Sequence, residues 1–144
     1  LATMRLGRYP EAEAASRERL ELPPDRFSDD DPEDERSAAH TLLAHALAGQ
    51  GKLDEARQAL QPALEYYRTE RERGAAGVTF SRDFAYALYV SALVEPGDAA
   101  GRARGKTALS EAAALVDGLP DEARRLADLR TVSGWIDSQR KRAM

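Results

Sequence analysis

The pattern Gly-x-x-x-Glu-Ala occurs twice in this chain as a six-residue phrase, and this repeat constrains the fold more than any other feature of the sequence. The first copy is Gly7-Arg8-Tyr9-Pro10-Glu11-Ala12, and the second is Gly51-Lys52-Leu53-Asp54-Glu55-Ala56, 44 residues later. Glycine suits a turn, and acidic residues suit the first turn of a helix because they meet the positive end of its dipole. The phrase therefore predicts two helices that begin after the same kind of turn.

The composition of the rest of the chain also favours helices. Alanine, leucine, arginine and glutamate are strong helix formers and are abundant here, whereas aromatic residues make up 6% of the 144 residues. Cysteine is absent, which excludes a disulfide framework and a cysteine nucleophile. We predict an all-α fold.

Proline, glycine and acidic residues mark where the helices start and stop. They predict seven helical pieces at residues 1–6, 10–22, 33–48, 53–73, 81–94, 98–117 and 121–141. Asp31, Ser81 and Asp98 are predicted to cap helix starts. Pro62 should kink or break the fourth piece because it has no backbone N–H. The sixth piece should start late, near Gly105, because glycine disfavours a helix.

Small and apolar residues around the second copy of the phrase follow a recognisable spacing. His40-x-x-Leu43-Ala44-x-x-Leu47 precedes it, and Leu60 and Ala63 follow it. This spacing resembles the tetratricopeptide repeat, a helical hairpin whose small residues let two antiparallel helices approach closely. The resemblance is strongest over residues 38–66, partial over 7–24, and an outline over 81–120.

The resemblance implies a right-handed stack of antiparallel helical hairpins, a TPR-like α-solenoid, closed by a C-terminal capping helix. We expect residues 1–144 to form one such domain, the C-terminal fragment of a longer protein. The implied function is a scaffold in a bacterial regulatory or signalling protein that holds a protein or peptide partner in a concave groove, not an enzyme.

In the resembled family the first helix of each hairpin lines the groove. The corresponding positions are Ala38, Thr41, His45 and Ala48 in one hairpin and Asp83, Tyr86, Val90 and Leu93 in the next. From these we select six candidate partner-binding residues: Thr41, His45, Asp83, Tyr86, Val90 and Leu93.

Histidine is present at two positions, His40 and His45, five residues apart, so the two side chains point in different directions on a helix. His40 falls on the stripe of Leu43, Ala44 and Leu47, and we expect it to pack inside the fold. His45 lies off that stripe and is expected to be available to a partner.

Two other functional hypotheses use different parts of the chain. In the first, Phe84, Tyr86 and Tyr89 line an aromatic pocket of a small-molecule-sensing regulatory domain. In the second, an incompletely covered N-terminal end at residues 1–6 mediates self-association. An open groove would favour a peptide or protein partner, and an enclosed cavity would favour a metabolite.

Several other patterns suggest chemistry but fail on spacing. The acidic run at residues 28–35 lacks the glycine and the final glutamate of a calcium loop. Gly101-x-x-x-Gly105-Lys106-Thr107 is one residue short of a phosphate-binding loop and follows no predicted strand. We therefore expect no catalytic residue, metal or cofactor. The net charge of -4 gives no reason to expect nucleic acid or membrane as a partner, and we expect a cytoplasmic location.

Overall fold

The computed structural model describes Met4, residues 6–22 and residues 32–143, and the helices of these residues confirm the all-α fold class. The helices are α1 (Tyr9–Glu21), α2 (Pro32–Gly49), α3 (Leu53–Glu72), α4 (Val78–Leu93), α5 (Ala99–Asp117), α6 (Asp121–Arg124) and α7 (Ala127–Ala143). Within these described ranges there is no β-strand. No helix there combines the length and the apolar character that crossing a bilayer requires.

Contacts divide the chain into two compact units, Leu1–Thr69 and Glu70–Met144. In the first unit, α1 and α2 run antiparallel. The ring of Tyr9 at the start of α1 lies 6.0 Å from that of His45 near the end of α2, and Arg36 near the start of α2 donates to the Leu20 carbonyl at the end of α1.

The third helix of this unit runs parallel to the first. Glu13 of α1 accepts from Lys52, just before α3, at 3.4 Å, and one turn later Arg17 lies 3.7 Å from Glu55. The two pairs advance in the same direction along both helices. The order is therefore up, down, up, with α2 antiparallel to α1 and α3 parallel to it.

The repeated phrase opens α1 and α3, as the sequence predicts. Before α3, Gly51 has φ +78°, a left-handed conformation that glycine adopts without strain. The amide of Gly51 donates to the Ala48 carbonyl, and that of Lys52 donates to the Leu47 carbonyl. This pair of bonds is the Schellman motif, which satisfies carbonyls left free at the end of α2.

The second unit has the same up, down, up order. Gly105 of α5 approaches Ala92 of α4, and Gly101 approaches Pro96 in the connection between these helices, so α4 and α5 are antiparallel. The Arg82 side chain lies 4.0 Å from Asp128 at the start of α7, and Trp135 further along α7 contacts residues further along α4. Helix α7 is therefore parallel to α4, and it packs on both α4 and α5.

Small side chains allow the helices of both units to approach closely. In the first unit, Ala44, Ala46, Ala56 and Ala63 are fully buried together with Leu60. In the second unit, the core is formed by Phe84, Ala85, Leu88, Val90, Leu109, Ala112, Leu129, Val132 and Ile136. Removing these apolar surfaces from water is the main favourable contribution to folding.

Several local predictions are confirmed and others are wrong. The carboxylate of Asp98 accepts from the Gly101 amide at 2.7 Å, which confirms it as a cap. That helix begins at Ala99 and not near Gly105. Ser81 does not cap its helix, because α4 already begins at Val78 and the Ser81 amide donates to the Gly77 carbonyl.

The fourth and seventh predicted pieces also behave differently from the prediction. Helix α3 continues past Pro62 to Glu72, so Pro62 does not end it. The piece predicted at 121–141 is divided at Arg125 and Leu126, between α6 and α7. The Leu126 amide closes the first turn on the Ala123 carbonyl. The predicted cap at Asp31 and most of the predicted helix at 1–6 lie outside the described residues.

Candidate functional site

The two candidate residues on α2 are buried. Thr41 is 1% exposed and His45 is 4% exposed. The hydroxyl of Thr41 donates to the Ser37 carbonyl one turn earlier at 3.0 Å, so its polar group is satisfied within the helix. The expectation that His45 is available to a partner is wrong, because α2 has a second buried side, off the stripe of Leu43 and Ala44, that contacts Tyr9 of α1.

Burial strongly affects the protonation of His45. The loss of hydration lowers its pKa to about 4, because the charged imidazolium is penalised inside the fold. His40 is half-buried, and its pKa is also lowered, first by burial and then by the nearby charge of Arg36. Its Nδ1 atom is buried without a hydrogen-bond partner in the described part of the chain. Both histidines are therefore neutral at pH 7.

On α4, Tyr86 is 7% exposed and Val90 is 0% exposed. The Tyr86 ring lies 5.8 Å from that of Trp135 on α7, and the Tyr89 ring stacks on the same indole at 5.7 Å. Phe84 is fully buried on the opposite part of the helix. Helix α4 is apolar nearly all round because neighbouring helices cover most of its circumference.

Asp83, also on α4, keeps a small exposed part. Its carboxylate accepts from the Arg82 guanidinium at 3.0 Å, and the Asp128 carboxylate lies 4.0 Å from the same guanidinium. Burial raises the pKa of Asp83, the Arg82 cation opposes this rise, and the charge of Asp128 adds to it. Asp83 is thus part of an ion cluster that joins α4 to α7.

Leu93, the last of the six candidate residues, is half-buried at the end of α4. The structure brings Asp83, Tyr86, Val90 and Leu93 onto one helix of the second unit, whereas Thr41 and His45 belong to the first unit. Four of the six candidates are buried against this chain's own helices. The self-association prediction concerns residues 1–6, of which Met4 is described as buried and Leu6 as exposed.

A cleft of about 220 Å³ lies beside Leu93 in the second unit. It lies between the α4–α5 connection, the start of α5 and the end of α7. Its walls include two apolar and four polar side chains: Leu93, Leu109, Arg102, Lys106, Gln139 and Arg142. Sequence reasoning selected Leu93 but missed the cations. The sequence feature that indicates two of these cations is the spacing of four residues between Arg102 and Lys106, which places both side chains on one side of α5.

Local hydrogen bonds determine which charges of the cleft are compensated. Glu95, the acidic residue of the lining, forms an ion pair with Arg104 at 2.9 Å. The Arg102 guanidinium donates to the Gly97 carbonyl at 2.6 Å, which uses part of its hydrogen-bonding capacity. In residues 6–22 and 32–143 we find no ion pair of Lys106 or Arg142. The cleft therefore carries a positive charge although the chain is acidic overall.

No three His, Asp or Glu side chains in the described ranges lie close enough together to hold a metal ion. The chain was compared with family models, curated proteins and solved structures. None of them matches it. The tetratricopeptide-repeat resemblance therefore stays a prediction from the sequence.

Proposed function

We propose that the chain is a TPR-like scaffold that binds a protein or peptide partner as part of a regulatory or signalling protein. The observation that carries this proposal is the helix order of the first unit. Helices α1 and α3 begin with the same phrase, run parallel as their ion pairs indicate, and contain the antiparallel α2 between them in sequence. Stacked hairpins of this kind are used widely to hold other proteins on helix surfaces.

The burial of α2 restricts which of its residues a partner can reach. Of the four α2 positions predicted to face a groove, Thr41 and His45 pack inward, and Ala38 and Ala48 retain partial exposure. We therefore assign the first-unit binding surface to Ala38 and Ala48 in place of Thr41 and His45. Small side chains there let a partner's backbone or apolar side chains approach the helix closely.

Bulky charged substitutions on α2 test this assignment. Partners recovered with the unmodified chain are identified, and their dissociation constants are then measured with Ala38→Arg and Ala48→Arg. Arginine's stem can follow the helix surface while its charge stays in water, so the fold should persist. We expect each variant to weaken binding at least tenfold because the added side chain occupies the contact surface.

Gln58→Arg is the matched control, because Gln58 is exposed and lies on α3 and not on α2. It adds the same side chain and charge and should leave affinity within about twofold. If all three folded variants bind the partner as tightly as the unmodified chain does, the partner does not use the α2 surface. A failure to recover any partner that binds the purified chain saturably would count against the scaffold function itself.

The aromatic residues of α4 do not carry a second proposal. Tyr86 and Tyr89 contact the indole of Trp135, and Phe84 is fully buried. We therefore do not assign ligand binding to this cluster.

A further inference from the structure

The cleft beside Leu93 combines a positive charge with an apolar wall. Lys106 and Arg142 line it from two different helices, and neither forms an ion pair within the described part of the chain. Three cationic side chains around one small volume repel one another, and this repulsion is relieved when an anion enters. The arrangement of the lining thus favours a negatively charged occupant.

The groups around the cleft can also donate several hydrogen bonds. One Arg102 N–H is engaged by the Gly97 carbonyl, and a guanidinium has five N–H donors. Lys106 contributes an ammonium group, and Gln139 contributes an amide. In contrast, the Gly101 amide at the start of α5 already donates to Asp98, so the side chains and not the helix terminus would bind the anion.

The volume and the apolar wall limit the rest of the ligand. Pockets for drug-sized molecules measure roughly 300–1,000 Å³, and this cleft measures about 220 Å³. Leu93 and Leu109 form its apolar side. We propose that the cleft binds a small organic anion, in which a carboxylate or phosphate group contacts Arg102, Lys106 and Arg142 and a short aliphatic part contacts Leu93. This inference is independent of the partner surface on α2.

Butyrate and propyl phosphate are suitable probes, because each joins an anionic group to a short aliphatic chain. Each is titrated at constant ionic strength, and binding is followed by NMR through the backbone amide signals of the α4–α5 connection and of the first turns of α5. We expect saturable shifts that cluster at Gly97, Gly101 and Gly105. The tighter of the two probes identifies whether the site prefers carboxylate or phosphate.

Analogues that lack either the charge or the aliphatic chain separate the two parts of the proposal. Butanol lacks the charge and should cause no saturable shift. Formate and inorganic phosphate lack the aliphatic part and should bind more weakly than butyrate and propyl phosphate. Equal binding of butanol would overturn the anion site, and equal binding of the inorganic or one-carbon anions would overturn the role of Leu93.

Charge variants test the assignment to named residues. Lys106→Gln and Arg142→Gln should each weaken binding about fivefold, as expected for a partly exposed ion pair. Lys141→Gln removes a neighbouring exposed charge that does not line the cleft and should leave the dissociation constant unchanged. Leu93→Asp should abolish binding by repulsion, and the similarly sized Leu93→Asn should retain measurable binding. If Lys106→Gln and Lys141→Gln weaken binding by the same factor, the attraction is nonspecific and the site is overturned.

Discussion

The indole ring of Trp135 stacks on the ring of Tyr89, with centroids 5.7 Å apart and ring planes at 16°. Tyr86, one turn earlier on α4, contacts the same indole at 5.8 Å in a tilted arrangement. Two tyrosines of α4 therefore contact one side chain of α7, and these ring contacts form part of the packing between the parallel helices α4 and α7. Aromatic pairs in such geometries contribute about 0.5–1.5 kcal/mol beyond the burial of their surfaces.

Trp135→Ala should lower the free energy of unfolding by about 3 kcal/mol, because it removes both ring contacts and part of the apolar packing of α7. Trp135→Phe keeps a ring between the tyrosines and should lose about half as much. Urea unfolding followed by far-ultraviolet circular dichroism measures both values. If the two variants are equally stable, the stacking of Trp135 does not hold α7 on α4.

Much of the fold follows from local sequence signals. The turn glycine and the acidic residues of the repeated phrase predict where α1 and α3 begin, because both groups act on backbone conformation and on the helix dipole within one turn. The cap at Asp98 is likewise local: its carboxylate reaches an amide three residues ahead. Features that act within one turn of a helix can be recognised in the sequence without knowing how the helices pack.

The candidate site was harder to predict because it depends on contacts between helices. His45 lies off the stripe of Leu43 and Leu47, and its burial involves a contact with Tyr9 on another helix. The positive cleft joins Lys106 of α5 to Arg142 of α7, which are 36 residues apart. The two residues lie on different helices, so the periodicity of a single helix cannot relate them, and the pair is recognised only when the helices are packed.

Two glycines of α5 should respond in opposite ways to replacement by alanine. At Gly101 an added Cβ would lie 2.1 Å from the Pro96 carbonyl oxygen, which is part of the backbone. At Gly105 its nearest neighbour would be the Cβ of Ala92 at 3.8 Å, an ordinary contact. Gly101 thus permits the close connection between α4 and α5, whereas the space beside Gly105 can hold a methyl group.

Gly101→Ala should therefore lower the free energy of unfolding by about 2 kcal/mol, because the backbone of the connection has to move. Gly105→Ala should raise it by about 0.5–1 kcal/mol, because alanine favours the helix interior. Thermal and urea unfolding of the two variants can be measured side by side. Destabilisation by both substitutions would show that α5 is packed too tightly for any side chain at Gly105.

His45 should make stability fall with acidity. Its pKa is lowered from 6.5 to about 4 in the folded chain by burial, so between these values the unfolded chain binds more protons. Stability is therefore unaffected by His45 above about pH 6.5 and decreases as the pH falls towards 4, by at most roughly 3–4 kcal/mol at about 1.4 kcal/mol per pKa unit.

The midpoint of the His45 imidazole signal in an NMR titration gives the folded pKa directly. Urea unfolding between pH 7 and pH 4.5 gives the free energy of unfolding as a function of pH. His45→Gln should reduce the slope of this dependence. His40→Gln serves as a control in a half-buried position and should alter the slope less. A His45 midpoint near 6.5 would mean that water reaches this ring, contrary to its burial.

Glu13 joins α1 to the turn between α2 and α3, and its ionised form is strongly favoured. Its carboxylate accepts from Arg17 at 2.9 Å, from Gln50 at 2.8 Å and from Lys52 at 3.4 Å. The hydrogen bond from Arg17, followed by that from Gln50, lowers the pKa of Glu13 to about 2. The ionised Glu13 carboxylate therefore contributes its full stabilisation above about pH 4.5, and this stabilisation is lost as the pH falls through 2.

Glu13→Gln should lower the free energy of unfolding by about 1 kcal/mol at pH 7, since ion pairs near the surface contribute little more than this. The loss should shrink as the salt concentration rises and as the pH falls towards 2, and it should vanish at lower pH, where the unmodified side chain is protonated. Glu18→Gln changes an exposed carboxylate on the same helix and should have almost no effect. A loss that is independent of both salt and pH would indicate that Glu13 acts through the packing of its side chain, and the charge of this carboxylate would then not connect α1 to the α2–α3 turn.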